Sequence, residues 1–243
     1  MILIALFFGQ VFAQSKLEMG EKAWNLKVGA GVHVRTNFRK DNKAQYYKGD
    51  PIVLPLPYAR LKMDRLEIEP DRARWSFFKN MLFALDARVQ YLGYTYQADG
   101  MAVRHKSLFA GAGMRILLFK LDWVKDVTDK SRGAYYSAEL IIPIPYGKGH
   151  LSTLSAEIEF WDRNGVDYYF GVKEEEATAD RPAYNPTRER IYHYRWINYI
   201  QLSKNWLMRI VPEYRYFGDR IKYSPTVAKR EEFAFTMGIV YDF

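Results

Sequence analysis

Three residues in the second half of the chain are of the types that perform nucleophilic ester hydrolysis. His150 and Ser152 lie two positions apart, and Asn164 follows in the next predicted turn. A serine nucleophile needs the imidazole and the orienting amide within hydrogen-bond reach. The run 151–161 is predicted to be one strand, which would place Asn164 roughly 40 Å from His150 at about 3.3 Å per residue. We therefore expect no catalytic site, and a lipid-hydrolysing enzyme is the least supported function.

Metal-binding and cofactor-binding patterns are weak. The other histidines, His33, His105 and His193, lie on separate segments without the spacing that metal ligands use, and the chain has no cysteine. The acidic run 174–176 could attract a cation or a basic partner, but such runs in loops are usually solvated. We expect no metal site and no cofactor.

Apolar and polar residues alternate in segments of about ten, the pattern of transmembrane β-strands. Charges of both signs occupy the polar rows and could pair across a narrow interior. The predicted lumen network consists of Asp86, Arg88, Arg115, Glu139, Glu157, Glu159, Arg195, Arg209, Glu213 and Arg215. Two interpretations stay open: ion pairs that fill the lumen and fix the barrel shape, or a narrow pore that selects small solutes.

These segments predict an all-β, transmembrane antiparallel β-barrel of about 12 strands, with 10 as the alternative, around a small polar lumen. The predicted strands cover 24–34, 52–60, 63–69, 73–79, 82–96, 107–119, 134–145, 151–161, 166–173, 191–203, 206–218 and 233–243. The stretch 120–133 is predicted as a long periplasmic connection with room for a short helix. The turns 162–165 and 203–205 are expected on the periplasmic side. Long outer loops are expected at 35–51, 174–190 and 219–230.

The composition favours an exported membrane protein. Aromatic residues make up 16% of the 243 residues and charged residues 26%. The apolar run 1–13 predicts a signal peptide cleaved after Ala13, followed by a single barrel domain over 14–243. No later segment reaches the roughly 18 uninterrupted apolar residues of a spanning helix. We expect an integral protein of the outer membrane of a Gram-negative bacterium. The alternative is a soluble lipocalin-like barrel or sandwich, whose strands would turn their apolar side chains inward.

The formal net charge of +8 bears on the partners of the protein. A nucleic-acid surface gathers its basic residues on one face between stacking aromatic residues, whereas here they are dispersed, so we expect no nucleic-acid partner. Attraction to anionic outer-membrane lipid and lipopolysaccharide explains the charge more simply.

Aromatic residues at the predicted strand ends indicate how the barrel sits in a membrane. An aromatic girdle at the periplasmic side is predicted to consist of Trp24, Trp123, Trp161 and Trp206. The last strand places apolar residues on one face up to the terminal Phe243. The predicted signal for the barrel-assembly machinery consists of Phe235, Met237, Ile239, Tyr241 and Phe243.

Several short motifs, spread in order over most of the chain, resemble the MipA/OmpV family. They are Gly29-x-Gly31, Tyr46-x-Lys48-Gly49, Leu54-Pro55-Leu56-Pro57-Tyr58, Asp167-Tyr168-Tyr169-Phe170-Gly171-Val172, Tyr216-Phe217-Gly218-Asp219 with Ser224-Pro225, and Gly238-Ile239-Val240-Tyr241-Asp242-Phe243. The resemblance implies a non-enzymatic outer-membrane barrel. Its best-known relative is a scaffold between a lytic transglycosylase and a penicillin-binding murein synthase, and other relatives resemble adhesins or osmotically regulated surface proteins. The basic loop 35–51 departs from the acidic, serine-rich loop expected of the family.

Overall fold

The structure, a computed structural model, describes residues 24–80, 82–145 and 150–243 and consists of twelve antiparallel strands that close into a barrel. Each strand pairs with the next along the chain, and the first pairs with the last. The strands are β1 (Trp24–Arg35), β2 (Ile52–Met63), β3 (Leu66–Glu69), β4 (Arg72–Lys79), β5 (Phe83–Leu92), β6 (Ser107–Ile116), β7 (Phe119–Asp126), β8 (Ala134–Pro145), β9 (His150–Trp161), β10 (Glu189–Gln201), β11 (Trp206–Phe217) and β12 (Glu231–Asp242). The predicted barrel of 12 strands is confirmed. The predicted signal peptide at 1–13 lies outside the described residues.

Within the described ranges, three short helices lie between the strands. They are α1 (Arg163–Phe170), a 3-10 helix (Glu174–Glu176) and α2 (Asp219–Lys222). No helix in the described part of the chain is long and apolar enough to cross a membrane.

Two elements differ from the prediction, and the two errors cancel in the strand count. The stretch 120–133 is not a long connection, because most of it belongs to β7, where apolar and charged residues alternate. The segment 166–173 is not a strand, because α1 covers most of it. The buried residues Val166, Tyr169 and Phe170 follow the period of a helix, and Asp162 caps α1 by accepting a hydrogen bond from the Gly165 amide at 2.8 Å.

The two ends of the barrel differ in the length of their connections. β1 begins and β12 ends at the same end of the barrel. We call it the turn end because its connections are short, such as 64–65, 117–118 and 202–205. The opposite, loop end carries the segments 36–51, 93–106, 127–133, 162–188 and 218–230. Short periplasmic turns and long outer loops are typical of outer-membrane barrels. Because β7 is an additional strand, β9 runs toward the loop end, and the predicted periplasmic position of 162–165 is wrong.

The outer wall of the barrel is apolar, whereas the inner wall is polar. On β12, Phe235, Met237 and Ile239 are exposed on the outside, and Glu232 and Thr236 are buried inside. The same alternation recurs along β5, β7 and β9. A soluble lipocalin-like barrel would turn its apolar side chains inward. The protein is therefore an outer-membrane-type β-barrel with a small polar lumen.

The structure corrects part of the predicted tryptophan girdle. Trp24 and Trp206 are exposed at the turn end. Trp123 is exposed on the outer wall, but it lies in the middle of β7 rather than at a periplasmic strand end. Trp161 is only 5% exposed at the loop end, where its ring packs 5.3 Å from that of Tyr135. Its assignment to the girdle is wrong because β9 runs opposite to the predicted direction.

Two glycines let β1 approach β12 closely where the barrel closes. A Cβ on Gly29 would lie 2.2 Å from the Ile239 carbonyl oxygen, and a Cβ on Gly31 would lie 2.3 Å from that of Met237. Both residues belong to the Gly-x-Gly motif, so the motif allows close contact between the first and the last strand where the barrel closes.

Candidate functional site

A chain of ion pairs runs along the inner wall of the barrel from β5 to β8. Arg88 lies 2.6 Å from Asp86 and also pairs with Asp122. Lys120 lies 3.0 Å from Asp122 and 3.2 Å from Glu139. Because alternate residues of each strand face inward, the cross-strand register brings these charges together.

Arg195 on β10 extends this chain of ion pairs to β9. Its Nη2 atom donates to Glu157 Oε2 at 2.9 Å, and its guanidinium also pairs with Glu139. The Tyr135 hydroxyl donates to Glu157 at 2.8 Å, and the Ser155 hydroxyl contacts Glu139. Both carboxylates are buried, so Arg195 is the shared counter-charge of two carboxylates inside the lumen.

A second cluster surrounds His193, also on β10. Its Nε2 atom lies 3.0 Å from Glu213 Oε2, while its Nδ1 atom lies 3.8 Å from Glu157 and 3.9 Å from Glu159. His193, Glu157 and Glu159 offer three ligand atoms within 4.8 Å of one another, a donor set that could hold a metal ion. Sequence spacing missed this group because strand pairing, rather than proximity along the chain, places His193 opposite Glu157.

The ten predicted lumen residues fall into several groups. Asp86, Arg88, Glu139, Glu157 and Arg195 belong to the ion-pair chain. Glu159 and Glu213 surround His193, and Arg215 lies 3.0 Å from Glu232, which also pairs with Arg35. The Arg209 guanidinium lies 5.9 Å from the Tyr58 ring centre, apart from the ion-pair chain. Arg115 lines a cavity at the turn end.

Sequence reasoning missed Lys120 and Asp122 as lumen residues. Both lie on β7, which was predicted to be a connection. The alternation of charged and apolar residues along β7 is the signal that would have identified them.

The turn-end cavity has a volume of about 120 Å³ and lies between β2 and β8. Seven neighbouring strands, β2 to β8, and the turn 64–65 contribute side chains to it. Its lining consists of Arg60, Lys62, Asp64, Arg65, Leu66, Glu67, Arg74, Ser76, Lys79, Ala84, Asp86, Arg88, Arg115, Lys120 and Ile141.

Aromatic and aliphatic side chains pack together at the opposite end of the barrel. This loop-end plug consists of Phe38, Phe109, Val124, Tyr135, Trp161, Val166, Tyr169, Phe170, Ile191, Phe217, Ile221 and Val227. Its members come from strands, from α1 and α2, and from three of the long loops. Phe38 packs with its ring 4.5 Å from that of Phe217 and 6.5 Å from that of Phe170. The plug is the main apolar core of the protein.

Arg39 ties three loops of the plug together. Its guanidinium donates to the Tyr169 carbonyl at 2.7 Å and to the Thr226 hydroxyl at 2.8 Å. It also stacks over the Phe170 ring at 4.2 Å. Burial lowers the pKa of Arg39 from its ordinary value, with the Tyr96 and Tyr94 side chains acting in the opposite direction. Sequence reasoning assigned Arg39 to a basic outer loop and missed this role.

A buried ion pair links the loop 93–106 to the loop 162–188. Arg104 lies 2.7 Å from Glu176, and both side chains are almost fully buried. The Glu176 carboxylate also accepts a hydrogen bond from the Ala102 amide at 2.9 Å and from the Lys173 amide at 3.2 Å. Burial raises the pKa of Glu176, but these hydrogen bonds and the Arg104 charge outweigh it and leave the pKa below its ordinary value. The acidic run 174–176 is therefore partly structural rather than wholly solvated.

Acid is expected to loosen this contact. A carboxyl group whose pKa is lowered on folding stabilises the folded state above its ordinary pKa and loses that effect as the pH falls through the lowered value. The segment around Glu176 should become more sensitive to an acid-active protease as the pH drops below about 4.3. Limited proteolysis of the barrel in detergent measures this change.

Substitution of Glu176 separates this mechanism from general acid unfolding. Glu176→Gln should weaken the contact by about 1–3 kcal/mol, because Arg104 loses its charged partner, and should make the same segment sensitive at neutral pH to a protease that is active there. Glu175→Gln is the matched control, since Glu175 is exposed. Equal cleavage of the two variants at neutral pH would contradict the role of Glu176.

The residues considered for ester hydrolysis do not form a catalytic site. His150 begins β9 at the turn end, and Asn164 lies in α1 at the loop end. The Ser152 hydroxyl accepts a hydrogen bond from the Trp196 indole at 2.6 Å and lies 3.0 Å from the Asn198 side chain. The nucleophile and its orienting amide are therefore far apart, as the sequence predicts.

Comparison with protein families gives a match that spans most of the chain. A family model described as "MltA-interacting protein MipA" matches residues 28–243. No curated protein matches the chain. The matched segment includes all the lumen residues and every long loop.

Solved structures similar to this chain include barrels of the outer membrane. An outer-membrane channel from Pseudomonas putida F1 is 10% identical, with 91% of this chain and 96% of that chain covered and a TM-score of 0.43. The KdgM porin is 9% identical over 90% of this chain and 99% of that chain, with a TM-score of 0.41. The outer membrane protein Omp33 of Acinetobacter baumannii is 8% identical over 90% and 98%, with a TM-score of 0.35.

Proposed function

The chain belongs to the MltA-interacting protein MipA family, and we propose that it acts in the outer membrane of a Gram-negative bacterium as a closed, non-enzymatic barrel that binds cell-wall enzymes. The burial of the loop-end plug inside the mouth of the barrel is the observation that carries this proposal. The loop-end plug fills one end, and buried ion pairs occupy the interior below it. A barrel without an open path acts through its surfaces rather than through transport.

The proposed partner is a lytic transglycosylase of the MltA type. The family description names an interaction with MltA. The resemblance to the MipA/OmpV family adds a penicillin-binding murein synthase as a second partner. Such enzymes act on the periplasmic side, so the turn end is the surface proposed to meet them. The apolar outer wall is proposed to contact outer-membrane lipid, with lipopolysaccharide in the outer leaflet.

Two alternative functions have less support. A narrow pore for small solutes is consistent with a polar lumen, but its path would have to cross both the ion-pair chain and the plug. A lipid hydrolase would need a catalytic group, and the separation of His150 from Asn164 argues against the one suggested by the sequence. The predicted recognition of the last strand by the barrel-assembly machinery stays a prediction.

Binding of a lytic transglycosylase tests the proposed function directly. The purified barrel in a lipid nanodisc is expected to bind an MltA-type enzyme saturably, with one enzyme per barrel. Biolayer interferometry measures the affinity at physiological and at high salt. Binding that persists at high salt excludes a purely electrostatic attraction to the basic barrel.

A variant at the turn end sharpens the binding test. Leu202 is exposed in the short turn 202–205, and Leu202→Ser should weaken binding if the turn end forms the interface. Tyr223→Ser is the matched control, because Tyr223 is an exposed apolar residue at the loop end. Absence of saturable binding by the unmodified barrel would refute the scaffold proposal.

A further inference from the structure

The turn-end cavity carries an excess of positive charge. Its lining includes eight basic side chains but only three acidic ones. The basic residues are Arg60, Lys62, Arg65, Arg74, Lys79, Arg88, Arg115 and Lys120, and the acidic residues are Asp64, Glu67 and Asp86. A concave surface with one dominant sign of charge focuses the electric field and attracts ions of the opposite sign.

Internal ion pairs neutralise only part of this charge. Glu67 pairs with Arg60 at 2.9 Å and also with Arg74, so one carboxylate serves two guanidinium groups. Asp122 is likewise shared between Arg88 and Lys120. Arg88 also pairs with Asp86, and Lys120 also pairs with Glu139, so these two cations have their counter-charges and the excess positive charge of the lining lies elsewhere.

Arg115 is the cation that the surrounding structure leaves without a counter-charge. It forms no ion pair with any residue in the described ranges. Its neighbours across the sheet are Ala84 on β5, which leaves space, and Lys120 on β7, which has the same charge. Like charges on directly opposed residues destabilise a strand pair, so this arrangement favours an anion between them.

We infer that the turn-end cavity binds a small anion that carries two or more negative charges on phosphate or carboxylate groups, with Arg115 as its principal contact. A guanidinium group offers two parallel N–H donors that match the oxygens of either group. The cavity volume of about 120 Å³ requires a small ligand. Since the plug closes the other end, the ligand enters from the turn end. This site does not depend on the proposed binding of a cell-wall enzyme.

Calorimetric titration of the complete barrel in detergent tests the inference. Inorganic pyrophosphate is the first probe, citrate is the second, and chloride at equal ionic strength is the control. We expect saturable binding of one pyrophosphate per barrel and none of chloride. Binding of citrate at similar affinity would support the site and assign it to carboxylates as well as phosphates.

Charge-removing variants identify the contact. Arg115→Gln should weaken pyrophosphate binding by about ten-fold or more, because a charge-assisted bidentate contact is lost. Arg115→Lys keeps the charge but not the paired donors. Its affinity for pyrophosphate should therefore lie between the affinities of Arg115→Gln and the wild type. Lys40→Gln is the matched control, since it removes one positive charge from an exposed position at the loop end.

Two results would overturn the inference. One is the absence of saturable binding of both pyrophosphate and citrate by the wild-type barrel. The other is equal weakening by Arg115→Gln and Lys40→Gln, which would indicate attraction to the overall charge of the protein. Heat-modifiable migration on a gel checks that each variant is folded. We expect Arg115→Gln to fold, because the removal of Arg115 leaves no carboxylate without its partner. Failure of enzyme binding in the nanodisc assay would leave these results unchanged.

Discussion

Replacement of Arg195 by Met is expected to destabilise the barrel by about 3–5 kcal/mol. Arg195 is the shared partner of Glu139 and Glu157, and both carboxylates are buried in the lumen. Removal of the guanidinium leaves two negative charges close together with fewer donors, and burial makes such unpaired charges costly. Urea unfolding of the barrel in lipid, followed by tryptophan fluorescence, measures the free energy of unfolding.

Two further variants show whether charge pairing or packing causes this loss. Arg209→Met makes the same change on the adjacent strand, where the guanidinium lies over Tyr58 rather than in the ion-pair chain, and should cost about 1 kcal/mol or less. The triple variant Arg195→Met, Glu139→Gln, Glu157→Gln should regain much of the lost stability because no buried charge stays unpaired. Equal losses for Arg195→Met and Arg209→Met would contradict the ion-pair explanation.

Replacement of Arg39 by Met is expected to open the loop-end plug. Arg39 holds the Tyr169 carbonyl and the Thr226 hydroxyl and stacks on Phe170. Its loss leaves buried acceptors unpaired, at about 1–3 kcal/mol for each group. Since 1.4 kcal/mol corresponds to ten-fold, the fraction of time that the plug is open should rise about ten-fold or more. Planar-bilayer recording should therefore show brief current steps in the variant.

The wild-type barrel and a neighbouring variant provide the comparison. The wild type is expected to be electrically silent, and Lys40→Met should be silent as well because Lys40 is exposed. Steady conductance of the wild type would contradict the closed barrel and favour the narrow pore. Silence of Arg39→Met, with loops as resistant to protease as those of the wild type, would show that Arg39 does not hold the plug closed.

Most of the wall of the barrel could be predicted from the sequence. The period of two along β12 and β5 identifies both the strands and the side chains that face inward, because neighbouring residues of a strand point to opposite faces. For the same reason Glu139, Glu157 and Arg195 could be assigned to the lumen without knowing their partners. The motifs led to the family that the match over 28–243 confirms.

Strand direction and contacts between strands required the tertiary structure. The alternation along β7 went unrecognised, and this single omission reversed β9 and put Trp161 at the wrong end of the barrel. In α1 the buried residues lie at helical spacing. Only their packing inside the barrel mouth shows that the segment is a helix of the plug rather than a strand of the wall. Local patterns define faces of an element but carry no information about its neighbours.

The apolar outside and the charged inside of the barrel follow from the order of residues along the chain, since alternation depends only on that order. Which charges meet depends on how the strands pair in three dimensions. Register places His193 beside Glu157 and leaves Arg115 facing Lys120 without a carboxylate. The tertiary structure also brings the plug together, because the plug is assembled from Phe38, Tyr169 and Phe217, which are remote in sequence. Such contacts arise from strand pairing and loop packing over long distances along the chain, which no local pattern encodes.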